Sequence, residues 1–180
     1  IDWKVGEDCP SISVQKLPAV SFPRDPTICA CIEKHNQVLK SLDDARLCRI
    51  PKGMQLSSKT IRLQQTSMGT LIASSLTSAL FADCAMINAG NIRGNAIYNG
   101  DALTYSDIKA EMPFDSVVVV LELPGRVISD SVSFTRARSL LSPPQEMGMY
   151  LQVDRGTKVR LVDEKYVVTH GLCDKHRQRL

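Results

Sequence analysis

The stretch that decides the fold of this chain is Met86-Ile87-Asn88-Ala89-Gly90-Asn91-Ile92-Arg93-Gly94. Its apolar start predicts a central, buried strand over residues 84–87. The two glycines permit positive φ or a close backbone approach, so we expect the loop after the strand to turn sharply and to offer its N–H groups to a ligand. A loop rich in glycine and asparagine is equally typical of a plain turn.

Three side chains of this loop are candidate ligand contacts. Arg93 presents a planar set of N–H donors that suits a phosphate or a carboxylate. Asn88 and Asn91 can both donate and accept hydrogen bonds. These residue types favour a polar or anionic ligand, and they leave the plain turn open.

The segments around the loop resemble, in order, the motifs of a known enzyme family. The loop, INAGNIR at residues 87–93, is similar to the N-x-G-x-I-R turn in the C-terminal domain of the 5'-nucleotidases and UDP-sugar hydrolases. Upstream, RLQQTSMGTLIA at residues 62–73 resembles the family's R-x-x-E/Q-T-N-L-G-x-L-I-A segment. Downstream, GDALTYSD at residues 100–107 and MPFD at residues 112–115 resemble its G-x-I-T-x-x-D and L-P-F-G/D elements. The ordered resemblance covers about residues 55–135.

This resemblance implies an α+β fold, in which mixed β-sheets are covered by helices in a layered α/β/β/α arrangement. The mixture of helix and strand patterns along the chain favours the same class. We expect residues 1–50 to form an N-terminal arm and an interdomain linker helix, and residues 51–180 to form a 5'-nucleotidase C-terminal-like domain.

The family hydrolyses phosphate esters of nucleotides, so the resemblance implies a domain that binds a nucleotide or nucleoside. Catalysis in the family needs two divalent metals held by a preceding domain, and the complete series of D-x-H, N-H-E and G-H-x-H ligand motifs does not occur in this chain. The chain alone is therefore not expected to hydrolyse a substrate. Its implied partner is an N-terminal metallophosphoesterase domain that carries the metals.

The resemblance also implies site residues. In the family, arginines and an asparagine of these motifs hold the phosphate and sugar of a nucleotide, and the aromatic of the P-F element stacks on the base. The matching positions here, with the turn that carries them, are Arg62, Asn88, Gly90, Asn91, Arg93 and Phe114. From the residues alone, such a phenylalanine is more often a core aromatic than a ligand contact, and the two arginines are more often surface charges or members of ion pairs.

Two departures from the family pattern favour an alternative function. The family usually carries a late F-x-x-x-G-G-D-G segment with a second stacking aromatic. Nothing equivalent follows Thr169, so the domain stops before this segment, replaces it with residues 171–174 or has lost it. Asn91 stands where glycine is commoner; asparagine tolerates the left-handed region, but its side chain can intrude on the ligand. The alternative is a non-catalytic ligand-binding or protein-interaction module that kept the fold and lost a full nucleotide pocket.

Four helices are predicted from end signals and apolar periodicity. Asp25 is the expected cap of the first helix and Ser67 of the second, and Thr104 with Asp107 forms a capping box ahead of the third. The fourth is expected to face inward with Val127, Ile128, Val132 and Phe134. The helices are predicted over residues 26–47, 68–80, 105–111 and 125 to about 136.

The clearest strand pattern covers residues 116–123 and is β-branched throughout its centre. Asp-x-Gly at residues 154–156 predicts a hairpin between strands at 150–153 and 158–162, with Gly156 in the left-handed region. Two further strands are predicted, at residues 60–63 and 165–169.

Charge and composition limit the partners. The net charge is +3, and residues 155–180 hold seven Lys or Arg against three Asp or Glu, so this end alone carries +4. No aromatic residues alternate with these basic ones, so nucleic-acid binding is not favoured. The chain also contains no run of about 18 apolar residues, so a membrane span is not expected.

Six cysteines, at positions 9, 29, 31, 48, 84 and 173, form no dense framework and no zinc-ligand spacing. Cys29 and Cys31 lie two apart on a predicted helix, so their side chains diverge and do not bridge each other easily. The cysteines are expected to be small buried residues, with at most one disulfide. Composition leaves the compartment open, and the family resemblance implies an extracellular or periplasmic one.

Overall fold

The computed structural model describes residues 14–170, apart from the side chains of Val38, Ser41 and His170. The contacts of the chain divide it into two units, Ile1–Ser41 and Leu42–Leu180. The helices are α1 (Pro26–Asp43), α2 (Ser67–Leu80), α3 (Tyr105–Glu111) and α4 (Gly125–Arg136). The strands are β1 (Arg46–Arg49), β2 (Leu56–Ser57), β3 (Met86–Asn88), β4 (Ile97–Tyr98), β5 (Ala102–Thr104), β6 (Leu151–Val153), β7 (Lys158–Val162) and β8 (Lys165–His170).

The strands pair in four small sheets, all antiparallel: β1 with β5, β2 with β4, β3 with β6 and β7 with β8. Helices and strands are mixed along the described part of the chain. The α+β class is therefore confirmed.

Helix α1 begins as its end signal predicts. Oδ1 of Asp25 accepts hydrogen bonds from the backbone N–H of Thr27 at 2.8 Å and of Ile28 at 3.1 Å. The predicted end at residue 47 is wrong, because the helix stops at Asp43 and the chain then enters β1, which pairs with β5.

Helix α2 supplies one wall of the main core. Met68, Ile72 and Ala73 on this helix are buried with Ile87 of β3 and Leu103 of β5. Its apolar residues recur at helical spacing, so one face packs against the strands and the other meets solvent. The core therefore lies directly beneath the end of β3, from which the Asn88 loop departs.

The cap of α2 differs from the prediction. The side chain of Thr66 caps the helix in place of that of Ser67: Oγ1 of Thr66 accepts the hydrogen bond from the N–H of Gly69 at 3.1 Å. The Ser67 hydroxyl is occupied elsewhere, because it accepts from the N–H of Ser57 at 2.8 Å and so ties the helix start to β2.

The capping box ahead of α3 is confirmed. Oδ2 of Asp107 accepts from the N–H of Thr104 at 2.8 Å, and Oγ1 of Thr104 accepts from the N–H of Asp107 at 3.2 Å. Helix α4 also has its predicted bounds, and Ile128 and Val132 are buried as expected. Val127 is 38% exposed and Phe134 is 74% exposed, so the prediction that these two face inward is wrong.

Two predicted strands are absent from the described part of the chain. Residues 60–63 form a turn, in which the N–H groups of Leu63 and Gln64 both donate to the carbonyl of Thr60, at 2.9 and 3.2 Å. Residues 116–123 form no strand, and Val117 and Leu121 are mostly exposed. High β-propensity records how well a side chain suits a pleated surface, and it does not supply the neighbouring strand.

The predicted hairpin at residues 154–156 is also wrong. Strand β6 pairs with β3 instead of β7, and the hairpin joins β7 to β8 through Asp163 and Glu164, whose φ angles are 46° and 60°. Gly156 does not have the predicted positive φ. Its N–H donates to Oδ1 of Asp154 at 2.7 Å, so an aspartate side chain holds this turn.

Cysteine burial does not follow the prediction. Cys29, Cys31 and Cys48 are exposed and free, and Cys84 is half-buried and free. Burial, with the nearby carboxylates of Asp154 and Asp83, raises the pKa of the Cys84 thiol. Cys9 and Cys173 lie outside the described residues.

Candidate functional site

Strand β3 delivers the loop at its C-terminal end, as predicted. In the β3–β6 ladder, Ile87 lies opposite Gln152 and Asn88 opposite Leu151. The Asn88 side chain is exposed, and a short 3₁₀ turn over Ala89–Asn91 follows it. The pairing fixes where the loop begins, although β3 has one partner strand among the described residues instead of the two expected of a central strand.

The loop's backbone N–H groups are largely used within the protein. The N–H of Ala89 donates to the carbonyl of Tyr150 at 2.8 Å, and that of Gly90 donates to the carbonyl of Gly148 at 2.7 Å. The N–H of Ile92 donates to the carbonyl of Ala89 at 3.2 Å.

The next two N–H groups, those of Arg93 and Gly94, donate to the backbone oxygen of Glu111 at 2.7 Å and to its carboxylate at 3.1 Å. The prediction that the loop offers its N–H groups to a ligand is therefore wrong at these five positions. An anion at this loop finds no free donor at these five N–H groups, so side chains are its main candidate partners.

The two glycines are required for close approach and not for positive φ. A Cβ on Gly90 would lie 3.1 Å from the carbonyl oxygen of Gly148, and a Cβ on Gly94 would overlap the carboxylate of Glu111. Neither glycine has a positive φ, and neither does Asn91; the left-handed residue of this region is Asn95, with φ of 46°.

Arg93 and Phe114 lie side by side on the surface. Cζ of Arg93 is 5.6 Å from the centre of the Phe114 ring, which is the geometry of a cation–π contact. Nη1 of Arg93 also donates to the carbonyl of Gly90 at 3.4 Å. Phe114 is 58% exposed, so the interpretation of this residue as a core aromatic is wrong.

Arg62 reaches the same region through its backbone. Its carbonyl accepts from the N–H of Met147 at 3.4 Å, and the neighbouring Gly148 accepts from Gly90. The segment at residues 147–148 therefore holds the Arg62 turn and the Asn88 loop together. The Arg62 side chain is half-buried, and neither Arg62 nor Arg93 belongs to the ion pair found within residues 14–170, which joins Arg46 to Asp101.

Gln152 anchors the Arg62 turn, and the sequence analysis did not identify it. Its side chain is completely buried, and its Nε2 donates to the carbonyls of Ile61 at 2.8 Å and Gln64 at 2.7 Å. Its Oε1 accepts from the N–H of Thr66 at 2.8 Å. Because Gln152 lies opposite Ile87 in the β3–β6 ladder, one side chain fixes the Arg62 turn against the strand that carries Asn88.

Glu111 was also missed. Its carboxylate is fully buried and accepts from the hydroxyl of Ser58 at 2.7 Å and the hydroxyl of Tyr98 at 2.8 Å, in addition to the N–H of Gly94. Burial, and then the hydrogen bond to Glu111, raise the pKa of Tyr98. The sequence carries one signal of a special role for Glu111. A glutamate in the last turn of a helix interacts unfavourably with the helix dipole, so it needs hydrogen-bond partners elsewhere.

Metal ligands do not cluster in the described part of the chain. Within residues 14–170, no three His, Cys, Asp or Glu side chains lie close enough together to hold an ion. These residues therefore do not fit a two-metal group. Also within this range, no helix is both long and apolar enough to cross a membrane.

The fold and the site define an α+β domain that presents a cationic loop beside an open aromatic ring. The family model described as "5'-nucleotidase, C-terminal domain" matches residues 44–164. This chain belongs to that family.

Relatives and a solved structure agree with this assignment. The chain is 30% identical over 120 residues to a 5'-nucleotidase of Vibrio parahaemolyticus, a match that covers 67% of this chain and 20% of the relative. It is 29% identical over 105 residues to a 5'-nucleotidase of Vibrio cholerae, covering 58% of this chain and 18% of the relative. The chain thus spans about a fifth of the length of these proteins.

The fold resembles the crystal structure of a 5'-nucleotidase precursor from Thermus thermophilus. The TM-score is 0.57 with 18% sequence identity, and the match covers 86% of this chain and 33% of that one.

Proposed function

We propose that this domain binds the nucleotide substrate of a 5'-nucleotidase-like metallophosphoesterase that hydrolyses phosphate esters of nucleotides. Hydrolysis itself would take place in an N-terminal metallophosphoesterase domain, where two divalent metals would act on the phosphate. The role assigned to this chain is to hold the nucleoside and to position its phosphate for that domain.

The observation that carries the proposal is the exposed pair of Arg93 and Phe114. A large aromatic that is 58% exposed, with a guanidinium 5.6 Å from its ring centre, offers an open face for a base and a charge for a phosphate. Stacking on such a ring is worth about 1–3 kcal/mol per base.

The phosphate and sugar would be held by side chains. Five N–H groups of the loop are already bonded within the protein, so the donors left to a ligand include the guanidinium groups of Arg62 and Arg93 and the amide of Asn88. Gly90 and Asn91 would contribute by forming the turn. The contacts of Met147 and Gly148 that hold the Arg62 turn against this loop support a common site.

Titration calorimetry tests the proposal directly. We expect the 180-residue chain to bind AMP, UDP-glucose or adenosine. Replacing Arg93 with Ala should weaken AMP about tenfold or more while leaving adenosine nearly unchanged, since one charge-assisted hydrogen bond is worth about 1.5–3 kcal/mol. Arg126→Ala, which removes an exposed arginine of α4, is the matched control.

The metal-dependent part of the proposal has a separate test. The gene that encodes this chain should also encode a metallophosphoesterase domain ahead of it. A gene without such a domain would contradict the hydrolase part of the proposal and leave the ligand-binding part standing.

A second candidate function is a non-catalytic ligand-binding or interaction module. It is favoured by the internal use of the loop N–H groups, because the backbone then contributes little to anion binding. The absence of heat with all three ligands at millimolar concentration would select this candidate.

A further inference from the structure

The Glu111 carboxylate joins segments that are distant in the sequence. Its Oε1 accepts from the Ser58 hydroxyl, 53 positions away, and from the Tyr98 hydroxyl, and its Oε2 accepts from the N–H of Gly94. Its backbone oxygen accepts from the N–H of Arg93. Each of these donors is a neutral hydroxyl or an amide, so the carboxylate is stabilised by hydrogen bonds alone.

The three joined segments are those that carry the proposed ligand contacts. Ser58 leads into the turn that bears Arg62, and Gly94 follows Arg93 directly. Glu111 ends α3, three residues before Phe114. One buried side chain thus fixes the spacing among an arginine turn, an arginine loop and an aromatic.

The contacts around the Glu111 carboxylate hold it in one position. Any Cβ on Gly94 would overlap it, so this glycine lets the loop approach the carboxylate. The Ser58 hydroxyl also accepts from the N–H of Ala96 at 2.9 Å, so it connects Glu111 to the strand that follows the loop. A fully satisfied buried network of this kind holds its members in one geometry.

We propose that Glu111 is a positioning residue that sets Arg93 against Phe114 for ligand binding, acting through its hydrogen bonds to the backbone of Arg93 and Gly94. This inference rests on the proposed nucleotide site. Glu111 itself does not contact the ligand.

Two substitutions at Glu111 separate the effect of side-chain length from the effect of its negative charge. Glu111→Asp is one methylene shorter and cannot span Ser58 and Gly94 together. Glu111→Gln keeps the length: its carbonyl oxygen can accept from Gly94, and the hydroxyls of Ser58 and Tyr98 can rotate to accept from its amide. Glu122→Gln, which changes an exposed carboxylate, is the control.

Amide hydrogen exchange on the full 180-residue chain without ligand gives the first readout. In Glu111→Asp, the N–H of Gly94, which donates to the side chain, should exchange about tenfold faster, while that of Val168 in β8 stays as in the parent chain. Glu111→Gln and Glu122→Gln should leave both unchanged. Unchanged exchange of Gly94 in a folded Glu111→Asp chain would overturn the proposal.

A double-mutant cycle with AMP gives the second readout. Glu111→Asp should weaken AMP about tenfold in the parent chain but less than about twofold when Arg93 is already Ala, because the two changes remove one interaction. If the two losses of AMP affinity simply multiply, Glu111 and Arg93 act independently, and the proposal that Glu111 works through Arg93 is wrong.

Glu111→Gln keeps the proposal testable if the Asp variant does not fold, because it should retain AMP affinity. A folded Gln variant that has lost Gly94 protection but keeps full AMP affinity would contradict the assignment, because the proposal requires the two to be kept or lost together. A parent chain that does not bind AMP would refute the nucleotide site, and the exchange data would still decide whether Glu111 orders the loop.

Discussion

The guanidinium of Arg136 lies over the ring of Tyr150, with 4.7 Å between Cζ and the ring centre, and both side chains are buried. Nε and Nη2 of Arg136 donate to the carbonyl of Leu151 at 2.9 and 2.6 Å, and Nη2 also donates to Oε1 of Gln65 at 2.6 Å. Burial lowers the pKa of Arg136. Arg136 therefore connects α4 to Leu151 of β6 and to Gln65, which lies beside the Arg62 turn.

Replacing Arg136 with Lys should destabilise the domain by about 2 kcal/mol, because lysine cannot reproduce the planar, forked contacts with Leu151 and Gln65. Urea unfolding measures the change. Arg126→Lys, at an exposed position of the same helix, should alter the free energy of unfolding by less than about 0.5 kcal/mol. Equal effects of the two substitutions would contradict this structural role.

Replacing Arg62 with Ala should weaken AMP by about tenfold to a hundredfold and leave adenosine nearly unaffected, if its guanidinium reaches the phosphate. Calorimetric titration with both ligands provides the comparison. A parallel loss for AMP and adenosine would place Arg62 on the sugar or in the fold instead.

Replacing Phe114 with Ala should weaken AMP and adenosine equally, since stacking worth about 1–3 kcal/mol does not involve the phosphate. The free energy of unfolding should change little, because the ring is 58% exposed. Both quantities should be measured on one preparation. A loss of several kcal/mol in the free energy of unfolding would show that the ring stabilises the fold and would contradict a role in binding alone.

Replacing Gly94 with Ala should cost about 2–3 kcal/mol of stability, because the new methyl group displaces the Glu111 carboxylate from its donors. Gly100→Ala is the matched control, since its Cβ would have its nearest neighbour, the Ala102 carbonyl oxygen, at 3.6 Å. Chemical unfolding of the two variants tests the difference. Tolerance of Ala at position 94 would show that the loop can move away from Glu111 at little cost.

Stability should fall as pH rises from about 10 to about 12, because burial raises the pKa of Tyr150 from 10.0 to about 12. In this window the unfolded chain loses the phenolic proton and the folded chain retains it, so deprotonation favours unfolding. Urea unfolding under reducing conditions at several pH values should show a shallower decline for Tyr150→Phe than for Tyr105→Phe. Parallel curves for the two variants would disprove the assignment.

Local signals predicted the parts of the fold that local hydrogen bonds build. The Asp25 cap and the Thr104–Asp107 capping box each join residues within three positions, so both can be identified from the sequence. The family motifs likewise identified the loop at Asn88 as the candidate site, and Arg93 and Phe114 are indeed neighbours in the structure.

Long-range pairing was not predictable from these signals. Alternation in residues 150–162 is compatible with pairing to the next strand or to a distant one, and β6 pairs with β3, more than 60 positions away. Gln152 bonds to residues 86–91 positions distant, so nothing near it in the sequence marks it as an anchor. Buried polar anchors of this kind depend on tertiary structure, which periodicity does not report.

The internal use of the loop N–H groups has a consequence for the conditions under which a ligand binds. Buried amides are shielded from dissolved ions, whereas Arg93 is exposed, and at about 0.1 M ionic strength charges are screened over about 10 Å. An anion held mainly by such side chains is bound more weakly as salt rises. If the domain binds a phosphate as proposed, its affinity should therefore fall as the ionic strength of its surroundings rises.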